Sequence, residues 1–545
     1  MKYLSILTTV VLIITCLSLG TSLQAQTAET PELLSLTDVD TGLNAGMTRT
    51  ARIYTHLMWA TYCKRKPHKS KLAYDALIAE LESDESFTTA ENGTLSPQAT
   101  SFIYAERATL RFSKLQDIKG AEEDAEKAIE FNPKSVNATW ILAKIITTRF
   151  FSEVERNRNS ERAEDLERAE DLKERMFSTL KRVIELNPDH DEAHFYLGSM
   201  GRDLGQPELA IDAFKALTRI IPYDPRYHTE LAKLYERQGK LHEAVQSYER
   251  VVTILPQQMN TRNHLGQLYL QTGDYPAAIK TFLAVLAATE GSKNGIPNEI
   301  EAHLGISLAY QAQNNFEKAE HHITRAIVLL EARALSMRSG TRSSRSRRTD
   351  RVKLAESLRD ARYTLAQIYL RFNSPQKAVQ TFVKILATDA NDVQALTGIG
   401  IAYQMIDDVP QAETYLRKAI DLSANGELPD AYNALGYLYA EQGIKLDEAA
   451  ALVRRALKSV PTSGAYLDSL GLIYLKQGKL DAAIENLEQA IKYLPDTPEI
   501  LLHLGDAYLE KGWKDKALKT LEDAVRLEPD NAELLQKLDD IKSSK

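Results

Sequence analysis

Residues 464–497 read GAYLDSLGLIYLKQGKLDAAIENLEQAIKYLPDT, and residues 498–531 read PEILLHLGDAYLEKGWKDKALKTLEDAVRLEPDN. The two stretches are one pattern written twice, because the residues that mark the pattern recur after 34 positions. The first copy has them at Leu470, Gly471, Tyr474, Gly478, Ala483, Leu487, Ala490 and Pro495, and the second at Leu504, Gly505, Tyr508, Gly512, Ala517, Leu521, Ala524 and Pro529. A fixed period of this length is typical of a solenoid.

The spacing within one copy predicts two helices. Residues at i, i+3, i+4 and i+7 form one face of the first helix, namely Leu467, Leu470, Gly471 and Tyr474. The same spacing continues after Gly478 in a second helix, which Pro495 ends. Because one helix pair cannot bury its apolar face alone, such units are stable only when they are stacked.

Altered copies of this pattern occupy much of the chain. Ala stands at the tight position of the second helix at Ala210, Ala244, Ala278, Ala319, Ala378, Ala412, Ala449, Ala483 and Ala517. The pattern resembles the tetratricopeptide repeat (TPR). The resemblance implies an all-α fold, a right-handed α-solenoid of about eleven TPR-like helix-turn-helix units.

The period divides the chain into six segments. We predict a signal peptide or uncleaved anchor at 1–25, a flexible lead-in and N-terminal helical cap at 26–101, TPR-like repeats at 102–333 with a charged helical insertion at about 150–175, a basic Arg/Ser-rich insertion at 334–358, TPR repeats at 359–531, and a C-terminal capping helix at 532–545.

The N-terminus predicts export. Lys2 precedes an apolar run at residues 3–19, which is typical of a secretory signal with cleavage after Gly20 or Ala25. An uncleaved anchor and a lipoprotein processed at Cys16 are the alternatives. All three place the protein outside the cytoplasm, in the periplasm or associated with the cell envelope, as in exported bacterial TPR proteins.

The two main interruptions are charged. Residues 150–175 contain the tandem ERAEDL at 161–166 and 167–172, whose mixed charges predict a solvated, lengthened second helix. The basic insertion is rich in Ser and Arg, and we expect it to be disordered or frayed. Its candidate binding residues are Arg338, Arg342, Arg345, Arg347, Arg348 and Arg351. The functional hypothesis is a basic arm for an acidic protein, an anionic lipid or an anionic polymer, and the alternative is a solvated loop without a ligand.

The sequence does not predict catalysis, a cofactor or a metal. The stretch at 190–194, HDEAH, only superficially resembles a zinc-protease helix, because Asp191 replaces the expected Glu and His190 falls in a turn. His321 and His322 are adjacent on a helix and diverge by about 100°, which does not suit a metal. The net charge of −8 is spread over the chain, and nucleic acid is not an expected partner.

The TPR resemblance implies that the first helix of each unit lines a groove. By that resemblance the groove residues are Arg226, Thr229, Lys233, Arg237, Asn260, Asn263, Gln267, Gln271, Tyr363 and Gln367, with Gln404, Asn433 and Tyr437 at related places. Side-chain amides both donate and accept, so they can bind a peptide backbone. The alternative is a solvated polar face without a dedicated ligand.

We therefore expect a non-catalytic TPR scaffold that binds protein or peptide segments in the cell envelope and acts in assembly or secretion. The alternative is an accessory subunit of an envelope enzyme or polysaccharide export system that binds an anionic polymer at the basic insertion. The pattern leaves the oligomeric state open.

Overall fold

The computed structural model describes residues 49–82, 96–158, 162–290, 292, 294–338, 345–423 and 428–543. Within these ranges the regular structure consists of 25 α-helices, one 3₁₀ turn and one π-helical turn, with no strand. The predicted all-α class is therefore confirmed. The chain divides into two compact units, Met1–Ile220 and Ile221–Lys545, each of which is described by itself.

Eight helices lie in the first unit. They are α1 (Arg49–Tyr62), α2 (Pro67–Glu82), α3 (Pro97–Leu110), α4 (Ile118–Phe131), α5 (Val136–Arg156), α6 (Ala163–Leu186), α7 (Asp191–Asp203) and α8 (Pro207–Ile220). Helices α1, α2 and α3 share one core, which includes Tyr74, Leu77 and Tyr104. Helix α3 begins at Pro97, where the Ser96 hydroxyl accepts from the Ala99 amide. Its first turn therefore belongs to the segment predicted as lead-in and N-terminal cap (26–101), and the helix continues into the predicted repeats.

Seventeen helices lie in the described part of the second unit. They are α9 (Pro225–Arg237), α10 (Leu241–Ile254), α11 (Met259–Gln271), α12 (Tyr275–Thr289), α13 (Ile296–Ala312), α14 (Phe316–Arg338), α15 (Arg345–Arg371), α16 (Pro375–Leu386), α17 (Val393–Gln404), α18 (Val409–Leu422), α19 (Pro429–Glu441), α20 (Leu446–Ser459), α21 (Gly464–Lys476), α22 (Leu480–Tyr493), α23 (Pro498–Glu510), α24 (Lys514–Leu527) and α25 (Ala532–Ser543). Odd-numbered helices from α9 to α23 are the first helices of their repeats, and each packs against the helix that follows it.

A left-handed residue ends the first helix of these repeats. Glycine takes this conformation at Gly239, Gly273, Gly443, Gly478 and Gly512, and Asn or Asp does so at Asn314, Asn373 and Asp407. Glycine pays no steric penalty at positive φ, and Asn and Asp tolerate it better than other residues. The tight turn is therefore preserved even where the sequence lacks the glycine of the repeat.

Small residues let the two helices of a repeat approach closely. The Phe282 ring of α12 lies against Gly266 of α11 and Gly305 of α13, where an added Cβ would come within 2.5 and 2.3 Å of ring atoms. Leu487 of α22 lies against Gly471 in the same way. The regular spacing of the sequence pattern thus corresponds to one packing unit repeated along the chain.

The charged insertion lengthens both helices of its repeat. Helix α5 continues to Arg156 and α6 begins at Ala163, so the first helix is lengthened as well as the second helix, for which the sequence predicted it. Neither extension contains Pro or Gly, and pairs such as Arg156 with Glu153 and Arg168 with Asp165 support them. Leu166 is 61% exposed, as expected for a solvated helix.

The basic insertion is helical where it is described. Helix α14 continues to Arg338 and α15 already begins at Arg345, so the expectation of disorder was wrong for 334–338 and 345–358. Leu354 is buried in a core that also contains Ala334, Met337 and Leu358. These apolar residues, three or four positions apart on each helix, stabilise the extensions of α14 and α15. The Arg-rich composition of the segment does not indicate this packing.

None of the helices described is both long and apolar enough to cross a membrane. The apolar run at residues 3–19 lies outside the described residues.

Candidate functional site

The first helices of the second unit form the candidate surface. They contact each other from repeat to repeat, as α11 does with α13, α15 with α17, α17 with α19, α19 with α21 and α21 with α23. Side chains also bridge them: Gln404 of α17 donates from Nε2 to Glu441 of α19 at 2.7 Å. We call the exposed face of these helices the first-helix surface. The predicted groove residues lie on these first helices, most of them at least partly exposed.

The four predicted groove residues of α9 have local contacts. The Arg226 guanidinium donates to Asp224 at 2.6 Å, and Lys233 lies 3.1 Å from Glu230. The Thr229 hydroxyl donates to the Pro225 carbonyl at 2.7 Å. Arg226, Lys233 and Arg237 are exposed, so three cations line this end of the first-helix surface.

Asn263 is the buried exception among the predicted groove residues of α11. Asn260 and Gln271 are exposed and Gln267 is half-buried, but Asn263 is only 2% exposed. Its Nδ2 donates across to α13, to the Asn298 carbonyl at 3.1 Å and to Glu301 at 3.1 Å, while its Oδ1 has no partner. This amide joins two repeats rather than facing a ligand directly.

Tyr363 and Gln367 lie on α15, both half-buried. The Tyr363 ring meets the Phe382 ring edge to face at a centroid distance of 5.7 Å, and the Arg359 guanidinium lies 5.5 Å from the Tyr363 centroid. Arg359 also donates to Asp392 of the next repeat at 2.8 Å. Burial raises the pKa of the Tyr363 hydroxyl, which therefore stays protonated as a donor.

A second group of polar residues lies on the last repeats. We call Asn433, Tyr437, Asp468, Glu499 and His503 the C-terminal polar cluster. The Tyr437 hydroxyl donates to Glu499 at 2.6 Å, which joins α19 to α23 across the intervening repeat. Burial and the Glu499 carboxylate raise the pKa of Tyr437. The buried Oδ1 of Asn433 has no partner, so the cluster is rich in acceptors.

Part of this cluster could have been found from the sequence. Asn433 and Tyr437 take the same positions in their first helix as Thr229 and Lys233 do in α9. Sequence reasoning missed Asp468, Glu499 and His503. The repeat register could have identified Asp468, because this residue takes the Thr229 position in α21. The register does not show which residues of other repeats contact Asp468.

Family models match much of the chain. Models of the tetratricopeptide repeat match residues 178–225, 225–258, 257–332, 397–464 and 498–531, and a model described as TPR repeat matches 471–512. Together these matches span more than half of the 545 residues. The chain is a tetratricopeptide repeat protein.

Solved structures of TPR proteins resemble it at low sequence identity. TTC0263, a thermophilic TPR protein in Thermus thermophilus, is 21% identical with a TM-score of 0.31, over 34% of this chain and 98% of that one. YrrB, described as a TPR protein with an unusual peptide-binding site, is 20% identical with a TM-score of 0.26, over 32% and 90%. The APC/C hetero-tetramer Cut9–Hcn1 is 12% identical with a TM-score of 0.38, over 91% and 99%. A comparison with curated protein sequences gave no match. These similarities assign no partner to the chain.

The basic arm of this TPR protein lies mostly outside the described side chains. That applies to Arg338, Arg342, Arg345, Arg347 and Arg348. The sixth residue, Arg351, is exposed and donates to the Met337 carbonyl at 2.5 Å. The hypothesis of a basic binding arm therefore stays a prediction.

The two histidines of the HDEAH stretch have separate roles in the TPR fold. His190 caps α7, where its Nδ1 accepts from the Ala193 amide at 3.2 Å. The His194 ring is buried, with Nε2 2.9 Å from the Pro188 carbonyl. Among the residues described, no group of three or more His, Cys, Asp or Glu side chains is arranged to hold a metal ion.

The His503–Asp468 pair predicts a loss of stability at alkaline pH. Its Nδ1 and Oδ1 atoms are 2.8 Å apart and both residues are largely buried. Burial lowers the pKa of His503, but the hydrogen bond and charge of Asp468 outweigh this, so that pKa is raised above 6.5. The folded state then holds a proton that the unfolded state releases above pH about 6.5, so stability falls as pH rises through the folded pKa. We expect Tm to fall between pH 6.5 and 8.5 more steeply in the wild type than in His503→Gln.

The control for this experiment is His242→Gln, which changes an exposed histidine. Tm is measured by differential scanning calorimetry at a series of pH values. The same pH dependence in wild type and His503→Gln would show that the pair does not hold the proton.

Proposed function

We propose that this TPR protein is a non-catalytic scaffold that holds an extended segment of a partner protein along the first-helix surface. TPR units form protein-interaction scaffolds, since stacked repeats present long continuous surfaces. The direct contacts of α11 with α13, and of successive first helices from α15 to α23, support this proposal most strongly, because they bring polar side chains of separate repeats together.

The charges of this surface indicate the partner's chemistry. Acidic residues predominate on the first helices of the last repeats, where Asp430, Glu441, Glu499 and Glu510 are exposed. Exposed cations lie at the other end, on α9. A partner segment is therefore expected to carry basic or amide side chains where it meets the C-terminal polar cluster. Complementary charge of this kind contributes mainly to orientation and association rate.

The proposal places the scaffold in the cell envelope, in assembly or secretion. Its support is the sequence alone, namely Lys2 and the apolar run at residues 3–19. The second candidate, an accessory subunit of an envelope enzyme or polysaccharide exporter, has its support in the arginines of the basic insertion. The binding experiment below separates the two.

Charge reversal on the first-helix surface should weaken partner binding. A partner is isolated by pull-down from the envelope fraction, and its affinity is measured by biolayer interferometry. We expect Glu499→Lys and Arg237→Glu each to weaken binding by about tenfold, since a like charge opposed to a partner charge costs about 1–2 kcal/mol.

Each variant has a matched control on a second helix. Glu485→Lys lies on α22 and Arg250→Glu on α10, and both side chains are exposed. These controls should change affinity by less than about twofold, since surface substitutions outside an interface cost little. Equal effects of variants and controls would refute binding at the first-helix surface. Retention on an acidic polysaccharide that is lost on deleting residues 338–349 would favour the second candidate instead.

A further inference from the structure

A cavity of about 300 Å³ lies between the extended helices α14 and α15. Of the nine described residues that line it, eight belong to these two helices, and the ninth, Thr388, follows α16. Helices α14 and α15 have 23 and 27 residues, whereas α16 has 12. The cavity is therefore formed mainly by the helices that interrupt the regular repeat pattern.

The walls of the cavity are mostly apolar. Ala334 and Met337 of α14 face it, together with Leu354, Ala355 and Leu358 of α15. Leu354 is buried, Met337 and Leu358 are half-buried, and Ala355 is exposed. Small-molecule sites in proteins are lined in this way, by apolar side chains with a few polar groups that fix the orientation of the ligand. The walls therefore indicate a ligand with an apolar body.

Three arginines also line the cavity, namely Arg351, Arg359 and Arg362, whereas no acidic residue is among its described lining residues. Arg359 donates to Asp392, the cap of α17, at 2.8 Å, and Arg362 donates to Glu331 of α14 at 2.7 Å. These two guanidinium groups are paired with carboxylates already. Their role is to join α15 to its neighbours and so to hold the walls of the cavity in place.

Arg351 differs from the other two arginines. Its Nη2 donates to the Met337 carbonyl at 2.5 Å, and within the described part of the chain it forms no ion pair with a carboxylate. A guanidinium group has five N–H donors in a fork that fits the two oxygens of a carboxylate. Arg351 is exposed. It is therefore held at the cavity with N–H groups that remain available to an anion.

We propose that this cavity binds a fatty acid, with the acyl chain against the apolar walls and the carboxylate on Arg351. A carboxylic acid is ionised at neutral pH, so its charge complements that of the guanidinium group. The volume equals that of roughly ten water molecules in the liquid. One acyl chain of medium length fits such a space, whereas the two chains of a phospholipid do not.

The position of the cavity favours a small molecule over a protein segment. The cavity is confined to one helix pair, whereas an extended segment is proposed to contact the first helices of several repeats. Binding here also differs from retention of an anionic polymer, because it needs the apolar walls as well as the positive charge. The inference uses other residues than the first-helix surface and does not rest on the scaffold function.

Isothermal titration calorimetry of the full-length protein with decanoate tests this proposal. The titration is carried out at pH 7.4 in about 0.15 M NaCl, below the concentration at which decanoate forms micelles. We expect one equivalent to bind, about tenfold more tightly than octanoate, because two more methylene groups leave water. Decyltrimethylammonium, which has the same chain and the opposite charge, should bind at least about tenfold more weakly than decanoate.

Two variants at exposed positions separate the head group from the chain. Arg351→Gln should weaken decanoate binding at least about tenfold, because a hydrogen bond to a charged group is lost. Ala355→Phe fills the cavity and should weaken binding by at least as much. The matched controls are Lys353→Gln and Val352→Phe, which change exposed residues of the same helix outside the lining. They should change affinity by less than about twofold.

Folding of each variant is checked by circular dichroism, and Ala355→Leu serves if Ala355→Phe does not fold. The proposal is overturned if Arg351→Gln and the Ala355 variant bind decanoate as tightly as the wild type, or if the wild type binds none. Equal affinity for decyltrimethylammonium would overturn it as well. An acidic peptide that binds at Arg351 where decanoate does not would assign the cavity to a protein partner instead. None of these outcomes changes the test of the first-helix surface.

Discussion

Replacing Phe282 by Ala is expected to destabilise the repeats around α12 by about 3–5 kcal/mol. The Phe282 ring is fully buried and fills the space between Gly266 and Gly305. Because these two neighbours are glycines, neither has a side chain that can move into the resulting cavity. The lost free energy of unfolding therefore includes both the transfer free energy of the ring and the cost of the cavity that remains.

Hydrogen exchange is the measurement suited to this prediction. A solenoid opens locally, so the change should appear as faster exchange of amides in α11, α12 and α13 rather than uniformly. Leu283→Ala is the matched control, since Leu283 is the next residue and is 46% exposed. It should cost less than about 1 kcal/mol. Equal effects of the two substitutions would contradict the packing of Phe282 described here.

Replacing Asp124 by Ala is expected to cost about 3–5 kcal/mol in the first unit, because breaking a buried ion pair leaves its partner uncompensated. Asp124 is 2% exposed and accepts from Arg107 at 2.6 and 2.8 Å. Arg111 lies 3.0 Å from the same carboxylate. Arg107 also donates to Asp75 of α2 at 2.8 Å, so the network joins α2, α3 and α4.

Urea unfolding and hydrogen exchange of the full chain would measure this cost. Asp124→Asn keeps the side-chain shape but removes the charge, and it should be destabilising as well. Glu123→Ala is the matched control, because the Glu123 side chain is 60% exposed and its pair with Lys119 is long, at 3.9 Å. It should change stability by no more than about 0.5 kcal/mol. A small effect of both Asp124 variants would show that Asp75 alone compensates the two arginines.

The candidate surface was only partly predictable. The 34-residue period identified the first helices, and the resemblance to TPR proteins assigned Arg226, Lys233, Arg237 and Asn263 to a groove. The three basic side chains are exposed, and their role in binding stays a prediction. The Asn263 amide is buried between two repeats. A repeat pattern assigns each position to a face, whereas burial depends on the side chains that the next repeat brings against it.

The basic insertion shows a second limit of prediction from the sequence. Its composition predicted disorder, yet α14 and α15 extend into it because Met337 and Leu358 share a core with the buried Leu354. The apolar residues come from two separate stretches, Met337 at the end of α14 and Leu354 and Leu358 within α15. Each stretch contributes only a few of these apolar residues, so the extensions are stabilised by packing of the two helices against each other.

The sequence by itself determined the repeat, its two helices and the turn between them. These follow from spacing within 34 residues, where the helical period and the backbone preferences of Gly, Asn and Pro act locally. Only the tertiary structure decided which side chains meet: Arg107 with Asp124, His303 with His322, and Tyr437 with Glu499. These contacts depend on the distance and angle at which the helices pack. The volumes of all the side chains between the helices set that distance and angle.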